Sequence, residues 1–140
     1  MSLAYCGGTF DILHLGHVEF LRWSKEKFKT VVVALNTDEF VKLYKAAPVQ
    51  SFEERKYMLE ACRYVDVVVK NIGDKDSKPS ILCVHPTHIV NGSDWTKETL
   101  QKQMGLTEQF LSKEGIEIAI CPYPRTFSTT ELKKRIRTQK

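Results

Sequence analysis

Two histidines and two glycines lie close together near the start of the chain, in the segment from Gly8 to His17. His14 and His17 are three residues apart, so on a helix they share one face and can direct ring N–H donors at a single point. The start of a helix adds unpaired backbone N–H groups and the positive end of the helix dipole. Such donors suit anionic oxygens, so the spacing predicts a phosphate-binding turn between a strand and a helix.

The segment contains a longer pattern than the histidine pair, because GTFD at 8–11 precedes HLGH at 14–17. This combination resembles the signature of the HxGH nucleotidyltransferase superfamily, and further short matches are most similar to its cytidylyltransferase family. The matches are TDEF at 37–40, ERK at 54–56, RYVD at 63–66, GSDW at 92–95, and Arg125-Thr126 before STT at 128–130.

The resemblance implies transfer of CMP from CTP to a small phosphorylated alcohol, with glycerol 3-phosphate as the first choice, and release of pyrophosphate. In such a reaction an acceptor phosphate oxygen attacks the α-phosphorus directly. The protein then contributes positioning and charge stabilisation, as in phosphoryl transfer generally. The expected partners are therefore CTP, carrying Mg²⁺ on its phosphates, and a phosphorylated alcohol. Related enzymes are commonly homodimers, so a homodimer is expected as well.

The resemblance also implies roles for particular residues. His14 and His17 are expected to donate to phosphate oxygens, and Arg125 to pair with phosphate. Nucleotide binding is expected of Gly8, Thr9, Phe10, Asp11, Gly16, Asp94, Trp95, Thr126, Ser128 and Thr129. Three of these residues also have structural interpretations: Asp11 as an anchor of the turn, Ser128 as a helix cap and Trp95 as a core residue.

The chain departs from the family pattern in two loops. The family places phosphate-neutralising lysines where this chain has Tyr44 and Ala46, so we expect the intervening Lys45 to supply the charge, ahead of Lys42. The family's RTEGISTT is shortened here by two residues between Thr126 and Ser128. Weaker acceptor-binding candidates are Lys42, Arg55, Arg63, Lys75 and Lys78, and the two arginines could instead pair with Asp66.

Two other functions stay open at this point. The stretch from Trp95 to Gly115 is long and is similar to that of heptose-phosphate adenylyltransferases, which favours a sugar-phosphate nucleotidyltransferase. The displaced lysines and the shortened loop are also compatible with a nucleotide-binding protein that has lost catalysis.

The composition sets broad limits. The chain has 140 residues, 42% of them hydrophobic, with a net charge of +4, which predicts one globular domain over residues 1–140. Its four cysteines, Cys6, Cys62, Cys83 and Cys121, form no CxxC pair, and the start of the chain has no signal-peptide pattern, so a reduced cytoplasm is expected. His85 and His88 have metal-pair spacing but lack a third ligand, so no metal site is predicted and both are interpreted as structural.

Apolar β-branched runs alternate with helical patterns along the chain. Strands are predicted near 2–6, 30–36, 65–70, 87–91 and 116–121. Helices are predicted over 16–28, from a capping box at Ser51, over 97–114, and from a second capping box at Ser128. These elements predict an α/β fold with a doubly wound, mainly parallel five-stranded sheet of the Rossmann-like type. Its ligand would bind beyond the carboxyl ends of the strands, facing the HLGH and STT segments.

Overall fold

A computed structural model of the protein describes residues 2–73, 75–122 and 128–139. Five strands form one sheet in the order β3-β2-β1-β4-β5, and every neighbouring pair is parallel. Their bounds are β1 Leu3–Gly8, β2 Thr30–Leu35, β3 Val67–Lys70, β4 His88–Gly92 and β5 Glu117–Cys121. The doubly wound sheet predicted from the sequence is confirmed, and the order reverses between β1 and β4, where such sheets bind their ligands.

Helices connect the strands within the described ranges. Their bounds are α1 Leu15–Lys27, α2 Asp38–Lys42, α3 Phe52–Glu60, α4 Lys78–Val84, α5 Lys97–Met104, α6 Glu108–Glu114 and α7 Thr129–Thr138. The capping box at Ser51 is confirmed, since Ser51 and Glu54 each bond the other's backbone N–H. At Ser128 the side chain accepts the Glu131 N–H at 3.0 Å, which confirms the cap.

The single helix predicted over 97–114 is wrong, because the structure divides this stretch into α5 and α6. Gly105 takes a left-handed conformation with φ +72° and ends α5, as glycine does readily without a Cβ. The Thr107 side chain then accepts the Phe110 N–H at 3.1 Å and caps α6. The apolar periodicity continues across this break, so periodicity alone did not predict it.

Both faces of the sheet are covered by helices, so its strands read as nearly continuous apolar runs. On one face Ala4 and Cys6 of β1 pack in a cluster with Leu21 of α1 and Leu59 of α3. On the other face Tyr5 packs with residues of α4, α5 and α6, including Ile81, Leu100 and Leu111. This two-sided packing leaves the carboxyl ends of the strands as the open edge. No helix within the described ranges is both long enough and apolar enough to cross a membrane.

Candidate active site

A cavity of about 710 Å³ opens at the carboxyl ends of the strands. Each strand contributes to its lining at or just after its last residue, through Gly8, Asn36, Asn71, Gly92 and Cys121. Its volume lies in the range of pockets that hold small ligands. The cavity therefore lies at the edge where the sequence predicted the site.

The turn from β1 to α1 forms one wall of this cavity. A Cβ on Gly8 would lie 2.9 Å from the Phe10 ring, so only glycine fits there without displacing the ring. Phe10 and Ile12 both have positive φ, of 50° and 51°, which is uncommon for residues with side chains. Strained backbone of this kind concentrates at functional sites, where the surrounding structure holds it in place.

His14 and His17 cap the helix that follows the turn. The Gly16 N–H donates to His14 Nδ1 at 3.1 Å, and the His14 N–H donates to His17 Nδ1 at 3.3 Å. A neutral imidazole whose Nδ1 accepts a hydrogen bond carries its proton on Nε2. The capping bonds therefore set one tautomer in both rings, with Nε2–H as the donor.

The two rings also hold each other in place. Their centroids are 3.8 Å apart with the planes 25° from parallel, and Phe10 lies 5.2 Å from His17 on the side of the turn. Both histidines and Gly16 line the cavity. The first turn of α1 carries no acidic residue, so nothing there neutralises the positive end of the helix dipole. The structure thus brings the predicted phosphate donors together at one wall.

Asp11 is buried and anchors the turn to the following loop. Its two carboxylate oxygens accept the N–H groups of Val49 and Gln50 at 2.8 and 3.0 Å. Gln50 returns a bond, because its Oε1 accepts the Ile12 N–H at 3.0 Å. Both oxygens are therefore occupied by backbone donors, which supports the structural interpretation of Asp11 over a metal-binding role.

Arg55 corrects one of the sequence-based assignments. Its side chain is 0% exposed and donates to the carbonyl oxygens of Gln50, Thr9 and Asn36, and to Asp38 Oδ1 at 2.5 Å. A side chain without exposed surface cannot meet a diffusible phosphate, so the acceptor-binding prediction is wrong. The alternative interpretation, an ion pair of Arg55 with Asp66, is wrong too, because Arg55 pairs with Asp38. Asp66 instead accepts from Lys25 at 2.8 Å and from the backbone of β2.

Lys45 lines the cavity, whereas Lys42 does not. Lys45 Nζ lies 5.5 Å from the centre of the Tyr44 ring, which is within the range of a cation–π contact. Tyr44 itself also lines the cavity. The structure therefore places at the cavity wall the lysine that the sequence favoured.

The remaining acceptor-binding candidates separate in the same way. Lys75 lines the cavity, but Lys78 does not, and its ammonium contacts Asp76 at 2.9 Å and the Gly105 carbonyl at 2.9 Å. Arg63 is exposed, away from the cavity lining. Lys75 is thus the one member of this weaker group that the structure brings to the site.

The start of α7 contacts the turn after β1. Thr129 Oγ1 donates to the Asp11 carbonyl at 2.7 Å, and Lys133 Nζ lies 3.8 Å from Asp11 Oδ2. Ser128 and Thr129 are therefore next to the histidine turn, although neither is in the cavity lining. Arg125 and Thr126, the other residues predicted here, lie outside the described residues.

Trp95 forms part of the opposite wall, beyond β4. Its N–H donates to the Gly92 carbonyl at 3.2 Å, and its ring both lines the cavity and packs against the second core cluster. The two interpretations of Trp95 therefore hold together. Asp94 is exposed and lies next to this wall without lining it.

Two buried groups near the site are poor nucleophiles. Burial raises the pKa of the Tyr5 phenol to about 12, and burial raises the pKa of the Cys6 thiol to about 12. Both groups are protonated at neutral pH, and it is the deprotonated thiolate that attacks. Within residues 2–73, 75–122 and 128–139, no group of three or more metal-ligating side chains could hold an ion.

Several cavity residues were not assigned to the site by the sequence analysis, among them Tyr44, Asn36 and Asn71. The two asparagines directly follow β2 and β3. Because ligands bind beyond the carboxyl ends of parallel strands, a polar residue at that position is a usable signal.

Comparison with known proteins agrees with this geometry. Residues 5–135 match the cytidylyltransferase-like family. The glycerol-3-phosphate cytidylyltransferase of Staphylococcus aureus is 33% identical over 92% of this chain and 90% of its own length. That of Bacillus subtilis is 34% identical over 92% of both chains. Among solved structures, a lipopolysaccharide core biosynthesis protein from Thermoplasma volcanium superposes with a TM-score of 0.71. It is 26% identical, over 89% of this chain and 99% of that one.

A parallel sheet with its cavity at the switch point, and a paired-histidine turn in that cavity, define a nucleotide-binding α/β protein. The chain belongs to the cytidylyltransferase-like family. It is a nucleotidyltransferase.

Proposed function

We propose that the protein transfers CMP from CTP to a small phosphorylated alcohol, glycerol 3-phosphate, and releases pyrophosphate. The observation that carries the proposal is the histidine turn, where two stacked rings whose Nδ1 atoms accept backbone N–H groups line one cavity. The two relatives named as glycerol-3-phosphate cytidylyltransferases, each matched over nearly their full length, support this choice of substrates.

The reaction needs no covalent intermediate. A phosphate oxygen of the acceptor attacks the α-phosphorus of CTP and forms a P–O bond, while the bond to the β-phosphate oxygen breaks and pyrophosphate leaves. His14 and His17 donate from Nε2 to the phosphate oxygens on which charge increases, and the N–H groups at the start of α1 add to that field. Preorganised donors of this kind stabilise the transition state because they need not reorient during the reaction.

Cations at the cavity wall neutralise the remaining charge. Lys45 takes the role of the family's phosphate lysines, and Lys75 lies where it can meet the acceptor phosphate. Arg125, Ser128 and Thr129 act on the triphosphate, with the α7 start docked on Asp11.

The base lies on the Trp95 side of the cavity in this proposal. Cytosine presents an amino donor and a ring acceptor, so backbone groups between Gly92 and Asp94 can read it while Trp95 shapes the pocket. A site whose polar groups pair with the right base alone rejects other bases strongly.

Magnesium reaches the site with the triphosphate. Asp11 is the buried carboxylate of the turn after β1, and both of its oxygens accept backbone N–H groups. It is therefore not suited to hold a resident metal ion. A divalent ion held by phosphate oxygens and water fits these residues, as Mg²⁺ retains several waters and binds few carboxylates. The bound ion would neutralise part of the triphosphate charge.

A screen of the four nucleoside triphosphates against phosphorylated alcohols and sugars tests the proposal. We expect pyrophosphate release with CTP and glycerol 3-phosphate, and a product with the mass of CDP-glycerol. Binding of CTP without any pyrophosphate release would indicate a protein that has lost catalysis and would contradict the proposal.

A sugar-phosphate nucleotidyltransferase is the second candidate. It is supported by the likeness to the Thermoplasma volcanium lipopolysaccharide protein and by the long segment with α5 and α6. Turnover of a sugar phosphate with ATP in the same screen would favour it.

We also propose a cytoplasmic homodimer. Sedimentation showing a monomer at working concentration would overturn the dimer.

A further inference from the structure

A series of hydrogen-bonded polar side chains, which we call the polar line, extends from buried Ser80 to Thr9 at the cavity. Asn36 and Asn71, at the ends of β2 and β3, are both buried and both line the cavity. Behind them lies Ser80 of α4, which is 2% exposed. The three side chains bond in sequence, with Ser80 Oγ 2.9 Å from Asn71 Oδ1 and Asn71 Nδ2 2.7 Å from Asn36 Oδ1. The line ends at Thr9, whose Oγ1 lies 3.2 Å from Asn36 Nδ2.

The bonds along this line point one way. The Ile72 N–H donates to Ser80 Oγ at 2.7 Å, and the Ser80 hydroxyl can donate to Asn71 Oδ1 at 2.9 Å or to the Ile72 carbonyl oxygen at 3.1 Å, the former being the shorter. An amide side chain has one donor end and one acceptor end, so Asn71 then donates from Nδ2 to Asn36. Asn36 in turn presents Nδ2 to Thr9. When Ser80 donates to Asn71, the hydrogen bonds from Ser80 to Thr9 therefore all run in the same direction.

The last bond determines what the cavity offers a ligand. A hydroxyl that accepts from an amide keeps its own proton for another acceptor. Asn36 Nδ2 lies 3.2 Å from Thr9 Oγ1 and 3.5 Å from the Tyr44 hydroxyl oxygen, and both hydroxyl residues line the cavity. The two hydroxyl oxygens also lie 3.5 Å from each other, so one hydroxyl can donate to the other while the second donates to a phosphate oxygen in the cavity.

We propose that Asn36, Asn71 and Ser80 are positioning residues that make the hydroxyl pair of Thr9 and Tyr44 a donor for a substrate phosphate. Tyr44 stands where the family carries a lysine, so this donor offsets part of that loss. The proposal rests on the proposed function in taking a phosphate as the ligand.

Asn71→Asp replaces the amide with a carboxylate of nearly the same shape, and it should reverse the donor direction of the hydrogen bond between Asn36 and Thr9. The new carboxylate accepts at both ends, from Ser80 and from Asn36, so the Asn36 amide must present Oδ1 to Thr9. The Thr9 hydroxyl then donates to Asn36 and no longer to the ligand. Ser80→Ala is a second variant that adds no charge. It removes the hydroxyl that donates to Asn71 and so orients its amide.

The test is a double-mutant cycle with Thr9→Val, measured by calorimetry as the Kd for CTP and the Kd for glycerol 3-phosphate. A hydrogen bond to a charged group makes a large contribution. We therefore expect Thr9→Val to weaken binding of at least one ligand about tenfold in the wild-type background. In the Asn71→Asp background we expect the same substitution to cost less than about twofold. Thr9→Ser, which keeps the hydroxyl, should restore wild-type binding.

Charge repulsion from the new carboxylate would act independently of Thr9, and its effect would add to that of Thr9→Val. Equal losses from Thr9→Val in both backgrounds would therefore overturn the proposal, as would no loss in the wild type. Should Asn71→Asp fail to fold, as judged by its melting temperature, the same comparison in the Ser80→Ala background decides. The test measures binding and does not depend on turnover. A wild-type protein that binds CTP but releases no pyrophosphate would therefore refute the proposed function, and the binding comparison could still be made.

Discussion

The two walls of the cavity are held in different ways. The wall formed by the turn after β1 is fixed from beneath: buried Asp11 bonds the following loop, and fully buried Arg55 bonds the turn, the end of β2 and α2. The wall beyond β4 has exposed residues at Ser93 and Asp94, and the Trp95 N–H to Gly92 bond closes its turn. In the proposed function the first of these is the phosphate wall, which buried hydrogen bonds hold in place, and the second is the base wall.

Among variants that test the difference between the two walls, a substitution of Arg55 should have the largest effect, and that effect is on stability. Arg55→Met removes the buried ion-pair partner of Asp38 and the donor to three backbone carbonyl oxygens. The free energy of unfolding should therefore fall by about 3–5 kcal/mol. Denaturant unfolding measures it. An Asp94→Ala variant, at an exposed residue beyond β4, serves as the control from the other wall and should lose less. Near-wild-type stability of Arg55→Met would remove the case for a preorganised phosphate wall.

His17→Ala should lower turnover by roughly 10²–10³, the loss found when one preorganised donor is removed. Because His17 Nδ1 also accepts the His14 N–H, His17→Gln is the matched control that keeps a side-chain acceptor without the ring. Both variants should keep a melting temperature close to that of the wild type. If activity and melting temperature fall in parallel, the ring serves packing instead of catalysis.

Lys45→Ala should reduce turnover about tenfold or more, since a charge-assisted bond to phosphate contributes at least that much. Lys42→Ala is the control, because Lys42 is exposed and lies off the cavity lining. Steady-state kinetics on both variants measures the difference. A larger loss from Lys42→Ala would mean that the loop follows a different path during turnover.

The smallest effect is expected far from both walls, at Asp66. Burial alone would raise the pKa of this carboxyl, but hydrogen bonds from Lys25 and the Val31 N–H lower it overall. A folded-state pKa below the unfolded one stabilises the fold above the unfolded value of about 4, and that stabilisation disappears as the pH falls through the folded value. Asp66→Asn should therefore lose about 1 kcal/mol or less at pH 7, with the difference shrinking below about pH 4 in thermal melts. A difference that grows in acid would refute this assignment.

The sheet was predictable because β-branched runs and the Ser51 capping box act locally. The break at Gly105 was missed since Leu100, Met104, Leu106 and Leu111 continue one apolar pattern across it. The histidine turn was predictable from a short motif. The Arg55 partner was not, because Asp38 is 17 residues away and meets Arg55 only once α2 and α3 pack. The direction of the Asn36–Asn71–Ser80 line likewise depends on three separate elements meeting.

The most direct test of the account is base selection by the intact enzyme. With glycerol 3-phosphate as acceptor, kcat/KM for CTP should exceed that for ATP by at least about 10²-fold, because in the proposed function polar groups on the base wall pair with cytosine alone. In Trp95→Ala this ratio should collapse while the histidine wall remains intact. A wild-type enzyme that uses ATP as well as CTP would contradict the cytidylyl assignment and favour the sugar-phosphate adenylyltransferase.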